Sequence, residues 1–204
     1  MAFKYAILLD GGFVTKKLQR TLGHFPTASD VDQECQRIAS HPKLANRELL
    51  RIYFYDASPA KDCLTNPIDG SKRDLATTPE FGRQVSLLDK LELTPNFAVR
   101  LGEVAVHGWK LGDSAFKAMV KAPRPPTAHD IVPDLEQKGV DLRIGLDIAR
   151  LSLRAMVDTI VVVTGDSDLV PAFKFARREG VRIFLDHMGH GVRRELKAHA
   201  DVVL

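Results

Sequence analysis

Apolar residues along this chain gather in short uninterrupted runs, and several of these runs stop at an aspartate. Residues 5–9 (Tyr-Ala-Ile-Leu-Leu) are closed by Asp10-Gly11-Gly12. Such a run predicts a strand covered on both faces, with a turn at its C-terminal end. Residues 13–22 then carry a helical pattern, with Gly23 as its stop, and residues 30–39 predict a second helix. Residues 49–55 predict another strand, ending at Asp56 ahead of Ser58-Pro59. From 57 to 78 the pattern is irregular, with Asn66 and the turn signal Asp69-Gly70. Residues 79–93 return to a helical period. Residues 97–109 alternate around Phe97, Val99, Leu101, Val104 and Val106, which predicts a strand or a hairpin punctuated by Gly102 and Gly108. Lys121-Ala122-Pro123-Arg124-Pro125-Pro126-Thr127 reads as a stiff, extended basic connector, too short to separate domains.

The last third is the most regular. Residues 141–156 predict a helix with Leu142, Leu146, Ala149 and Leu153 on one stripe and Ile144, Ile148 and Leu151 beside it, an apolar surface broad enough to suggest deep packing. Residues 159–163 (Thr-Ile-Val-Val-Val) predict a β-branched buried strand that ends in Thr164-Gly165-Asp166-Ser167-Asp168. A helix over 169–179, with Gly180 as a left-handed cap, follows. A strand over 181–185 then ends at Asp186, and a final helix covers 192–200. Strand, helix and strand in this order imply a parallel sheet with crossover helices. The expected fold class is α/β: a single-domain, doubly wound three-layer sandwich with a mainly parallel sheet, spanning residues 1–204.

Composition narrows the setting. The chain has 204 residues, 45% of them hydrophobic and 27% charged, which is a globular balance and enough for one sizeable domain. No apolar run approaches the length that spans a bilayer, so no membrane partner is expected, and the N-terminal run is too short for a secretory signal. Cys35 and Cys63 form no CxxC pattern, which argues against a disulfide scaffold or structural zinc and makes the cytoplasm the expected compartment. The net charge is +3. Basic residues cluster at Lys16, Lys17 and Arg20, at Lys72 and Arg73, at Lys117, Lys121 and Arg124, and at Arg193, Arg194 and Lys197. Clusters of this kind suit phosphate contacts, and they equally suit solvated helix faces.

The strand-end acids carry the chemistry. In a parallel sheet the C-terminal strand ends share one edge, where ligands of open α/β sheets bind. Asp10, Asp56, Asp166 with Asp168, and Asp186 would gather there. Carboxylates so placed repel one another, and a hard divalent cation such as Mg²⁺ or Mn²⁺ resolves the conflict. Each acid also has a plain structural reading. Asp10 suits a turn, and Asp166 or Asp168 suits the N-cap of the next helix. Asp141, after Gly139-Val140, suits a cap as well. Asp147 has Arg143 four residues before it and Arg150 three after, so an exposed ion pair is expected for it. Asp56 and Asp186 read as turn residues.

Three segments together resemble the NYN domains, which are PIN-like. Residues 7–13 (Ile-Leu-Leu-Asp-Gly-Gly-Phe) look like the opening strand of that family. Lys138-Gly139-Val140-Asp141, followed by Asp147, is similar to its central helix start. Residues 163–171 (Val-Thr-Gly-Asp-Ser-Asp-Leu-Val-Pro) look like its third signature, and Gly180-Val181-Arg182-Ile183 and residues 200–204 also fit. The motif order looks closest to the bacterial LabA/DUF88-like branch. Residues 57–130 find no counterpart and are expected to be a branch-specific insertion.

The resemblance implies a metal-dependent ribonuclease. Asp10, Asp141, Asp166 and Asp168 would be catalytic and, with Asp147, would bind Mg²⁺ or Mn²⁺. Lys138, Thr164 and Ser167 would be supporting polar groups. Lys16, Lys17, Arg143, Arg193 and Arg194 are the expected contacts to substrate, which would be RNA or DNA, and a homodimer is compatible with the sequence. Many relatives carry a small polar residue or Asn where this chain has Gly12 or Phe13, which bears on substrate positioning. The alternative function is a non-catalytic nucleic-acid or protein-binding module that keeps the fold. A phosphatase of the haloacid-dehalogenase kind wants a second Asp where Gly12 stands, and a dinucleotide-binding domain wants a GxGxxG after the first strand that is absent.

Overall fold

The continuous apolar runs form the centre of a mainly parallel sheet. A computed structural model describes residues 3–204. In chain order the elements are β1 (Phe3–Asp10), α1 (Gly11–Leu22), α2 (Ala28–Ala39), β2 (Arg47–Ala57), β3 (Cys63–Thr65), β4 (Lys72–Asp74), α3 (Pro79–Glu92) and β5 (Phe97–Leu111), then α4 (Asp113–Lys121), β6 (Ile131–Lys138), α5 (Val140–Leu153), β7 (Thr159–Val163), α6 (Val170–Arg178), β8 (Arg182–Asp186), α7 (Arg194–Ala198) and β9 (Val202–Val203). Short 3-10 turns occur at Pro42–Leu44, Leu75–Thr77 and Ser167–Leu169.

The chain divides into two compact units. One comprises the residues up to Asp56, Ser86–Gly102 and Gly139–Leu204; the other comprises Ala57–Val85 and Glu103–Lys138. In the first unit the strand order is β5-β2-β1-β7-β8-β9, and the pairs β1–β2, β1–β7, β7–β8 and β8–β9 are all parallel. Register aligns Leu9 with Val163, and Val163 with Asp186. The C-terminal ends of three strands therefore lie side by side, as the sequence predicts.

Alternation along each strand divides the buried residues between two faces. On one face Tyr5, Ile7 and Leu9 of β1 join Ile52, Phe54, Val161, Val163 and Phe184 in a core with Val14, Leu18, Val31, Ile38, Leu88 and Leu91 from α1, α2 and α3. On the other face Ala6, Leu8, Ile160, Val162, Ile183 and Leu185 are just as completely buried. There α5 packs on β1 and α6 packs on β8. Helices on both faces explain why β1 and β7 read as unbroken apolar runs rather than as alternating ones.

The helix expected over 141–156 needs a correction, because it is not packed on its whole apolar surface. Ile144, Ile148 and Leu151 are buried, but Leu142, Leu146 and Leu153 are exposed to 66%, 59% and 64%. A helix turns one stripe to the sheet, and the second stripe lies roughly 160° round from it, on the opposite face and beyond the reach of the same neighbours.

The second unit holds most of the stretch without recognisable motifs. The 57–78 region is not wholly irregular: β3 and β4 pair antiparallel, Cys63 with Asp74 and Thr65 with Lys72. Residues 103–111 of β5 pair antiparallel with β6, and the register slips between Val106 and Trp109. The indole of Trp109 donates to the Thr65 carbonyl at 2.9 Å. Arg124 grips Asp130 through both terminal nitrogens, at 2.6 and 2.7 Å, so it is committed within the unit. Strand β6 and helix α4 give little signal in the sequence for a physical reason. Helix α4 buries no residue, and β6 is mostly polar, with Pro133 tolerated on a strand that has a neighbour on one side. Cys35 is buried, Cys63 is exposed, and both are free thiols. Among the described residues no helix is long and apolar enough to cross a membrane.

Candidate active site

Asp10 is placed by the junction of β1 with α1. Its Oδ1 accepts the Phe13 amide at 3.1 Å, so the residue that ends the strand also caps the helix. Gly11 allows this abrupt junction: a Cβ there would stand 2.5 Å from the Tyr55 carbonyl and 2.8 Å from the Phe54 ring. The other carboxylate oxygen, Oδ2, accepts the Thr164 hydroxyl at 3.0 Å, a contact that joins residues 154 apart in the chain.

Thr164 is fully buried and works in both directions. Its hydroxyl donates to Asp10 and accepts the Asp166 amide at 3.0 Å. The loop after β7 is thereby tied to the end of β1. Asp166 in turn accepts the Asp168 amide at 2.9 Å and caps the 3-10 turn Ser167–Leu169. Of the two candidate caps, Asp166 takes the duty, and it serves this turn rather than α6, whose preceding residue Leu169 makes no side-chain cap. Gly165 lets the loop close: a Cβ there would meet Phe13 at 2.7 Å and His190 at 3.0 Å. The Phe13 and His190 rings meet edge-on, with centroids 5.8 Å apart.

Asp141 is exposed in the first turn of α5; Gly139, not Asp141, holds the N-cap position. Electrostatics links Asp141 to the loop. Partial burial and then the charges of Asp166 and Asp168 raise its carboxyl above the ordinary range. Burial likewise raises Asp10. The Phe13 and Thr164 hydrogen bonds pull it back, and the charges of Asp141 and Asp166 push it up again. Acids from β1, α5 and the loop after β7 therefore sit in one another's fields. None of the four is in an ion pair with a base among the described residues.

A divalent cation would suit this donor set, because only oxygen ligands are offered and their mutual repulsion is unrelieved. Among the described residues, however, no three His, Cys, Asp or Glu side chains are grouped closely enough to hold a metal ion as they stand. The acids share a field rather than a finished coordination sphere.

The remaining expected residues lie as follows. Asp147 accepts the Tyr55 hydroxyl at 2.9 Å and faces Arg100 at 3.6 Å. Its partners are not the expected Arg143 and Arg150. Arg143 turns back on the Gly139 carbonyl at 2.9 Å. Asp147 is also absent from the charges that raise Asp10 and Asp141. Lys138 belongs to the other unit and pairs with Glu136 at 2.5 Å. Ser167 opens the 3-10 turn. Lys17 lies 5.8 Å over the Phe13 ring, while Lys16, Arg193 and Arg194 are exposed. Asp186, read as a turn residue, is buried and ion-paired with Arg37. The packing of Phe13 and His190 beside Gly165, next to the candidate acids, was not legible in the sequence. An aromatic at position 13 after a strand-end Asp was the one available hint, since core packing accounts for an aromatic equally well.

Comparison with known proteins bears on the fold and on the C-terminal part of the chain. No curated protein matches the chain. A crystal structure of a protein of unknown function from Vibrio parahaemolyticus has a similar fold, with a TM-score of 0.53 at 16% identity, covering 100% of this chain and 92% of that one. The NYN-domain family model matches residues 114–204, which takes in Asp141, Asp166 and Asp168 but stops short of Asp10. Residues 114–204 are thus similar to NYN domains, a family that belongs to the PIN-like nuclease superfamily.

Proposed function

We propose that this protein is a metal-dependent ribonuclease, hydrolysing phosphodiester bonds at the edge where β1, α5 and the loop after β7 meet, and that on motif order it stands nearest the bacterial LabA/DUF88-like branch. One observation carries the reading: Asp10 and Asp141, from two separate elements, are held above the ordinary carboxyl range by burial and then by the charges of neighbouring acids, and no base is paired with them among the described residues. A folded chain gains nothing from that arrangement by itself, because it stores repulsion. It becomes useful once a counter-charge and a polyanionic substrate are supplied.

Asp10, Asp141, Asp166 and Asp168 would hold Mg²⁺ or Mn²⁺, with Asp147 outside the set on account of its own partners. A cation held there would polarise a phosphoryl oxygen and make a bound water acidic enough to attack. The chain's own residues do the positioning. Thr164 keeps the Asp10 carboxylate fixed against the loop, and Asp166 spends one oxygen on the Asp168 amide while its carboxylate stays at the edge. Phe13 and His190 close one side of the loop with apolar surface. The surrounding basic residues would hold flanking phosphates.

The test is cleavage of labelled RNA by metal-stripped protein with and without Mn²⁺. Cleavage should require the metal and disappear in Asp10→Asn and Asp166→Asn proteins that keep their circular dichroism. Undiminished cleavage by either variant would reject the assignment.

A further inference from the structure

The same strands that end at the acidic edge begin at a basic groove. Arg182 opens β8 opposite Thr159, which opens β7, so it stands at the far end of both strands from Val163 and Asp186. Four steps of strand separate Arg182 from Asp186, on the order of 13 Å at the usual rise. Around Arg182 lies an open groove lined by Lys174, Arg177, Arg178, Gly180 and Asp201. Four cations face one anion there. Arg177 already occupies Asp201 at 3.0 Å, and Lys174 reaches Glu195 at a loose 3.6 Å. Arg178 has no acid partner among the described residues, and Arg182 has only the face of Phe184, 5.4 Å from its guanidinium carbon. Both are exposed.

The groove is linked to the acidic edge by a helix. α6 starts directly after the Ser167–Leu169 turn and ends at Arg178, carrying Lys174, Arg177 and Arg178 at the i, i+3 and i+4 spacing that puts them on one side. α7 packs against the same turn, and Arg193 and Arg194 stand at its start. Basic side chains therefore mark a route from the acid cluster to the far end of the sheet. Guanidinium groups without acids are suited to phosphate, which they bind through two parallel hydrogen bonds.

We propose that this groove is a second nucleic-acid contact, holding phosphates of a single-stranded RNA away from the bond to be cut, with Arg178 and Arg182 as its principal donors. The inference rests on the nuclease reading for its choice of ligand but not for its test. Binding of a long labelled RNA strand and of a short one is measured in EDTA, where cleavage plays no part, for wild type and for Arg178→Ala/Arg182→Ala. The double variant should bind the long strand about tenfold more weakly at low salt, and its slope of log K against log salt should shrink by roughly 0.7 for each lost contact. The short strand, which the groove alone can hold, should lose affinity in the double variant as well, because in EDTA the acidic edge carries no cation and repels phosphate. Charge reversal in Arg178→Glu should weaken the long strand further, with melting temperature unchanged. Equal affinity and equal salt slope for wild type and double variant would overturn the proposal, as would failure of the wild type to bind RNA. If the groove signal appears while cleavage with Mn²⁺ does not, the nuclease reading fails and the groove stands.

Discussion

Three neighbouring strand ends on the same sheet edge carry aspartates in two opposite circumstances. At the end of β8, Asp186 is buried and fully partnered: Arg37 reaches one carboxylate oxygen, and the Met188 amide reaches the other at 2.8 Å. Arg37 is itself steadied by Glu34, through contacts at 2.7 and 3.0 Å. At the ends of β1 and β7, Asp10 and Asp166 receive only neutral donors, and Asp10 lies in the field of Asp141 and Asp166. The contrast teaches that an acid at a strand end is not informative by itself. What separates the two places is the counter-charge, which the fold supplies at β8 and withholds next door.

The largest expected effect of breaking this contrast is on catalysis. Asp141→Asn should lower metal-dependent RNA cleavage at least about a hundredfold, the scale of losing one charge-stabilising group in an active site. Asp186→Asn should leave the rate within severalfold, as single-turnover assays on the two variants would show. On stability the order reverses. Arg37→Ala leaves a buried carboxylate without its cation and should cost about 1–3 kcal/mol in urea unfolding, less than for a fully buried pair because the Arg37 side chain is half exposed. Adding Asp186→Asn to that variant should restore part of the loss.

A third expectation concerns pH. Asp10 and Asp141 both titrate above the ordinary carboxyl range in the folded protein, so the fold retains protons that the unfolded chain has released. Their contribution to stability is complete below the ordinary carboxyl pKa and is lost as pH rises through the raised values. Metal-free protein should therefore lose melting temperature across that window, and Asp141→Asn should flatten the slope. Mn²⁺ should raise the melting temperature most at the alkaline end, where both groups are ionised. Smallest of all, Tyr55→Phe should cost about 0.5–1.5 kcal/mol, the worth of one hydrogen bond to Asp147, with cleavage nearly unaffected.

The sheet was legible in the sequence because both of its faces are covered. Strands β1 and β7 read as continuous apolar runs for that reason, and the aspartates after them marked the shared edge. The candidate acids were picked out as a set by the resemblance of three segments to one family. Their partners were not. That Asp186 is claimed by Arg37, 149 residues away in the chain, and Asp147 by Tyr55 and Arg100, depends on contacts between distant segments. Local spacing had offered Arg143 and Arg150 instead, and neither is used. The stripe of Leu142, Leu146 and Leu153 misled for a related reason, since periodicity identifies an apolar face without saying whether a neighbour exists to cover it. Helix α4 and strand β6 stayed hidden because they bury little, leaving no pattern to read.

The central claim is that the acids at the ends of β1 and β7, with Asp141, need a cation that the fold itself does not provide. Calorimetric titration of Mn²⁺ into the apo protein tests it most directly. Wild type and Asp186→Asn should show the same saturable binding, and Asp10→Asn and Asp141→Asn should lose it. A wild type that takes up no metal, or acid variants that bind it as tightly as wild type, would contradict the account.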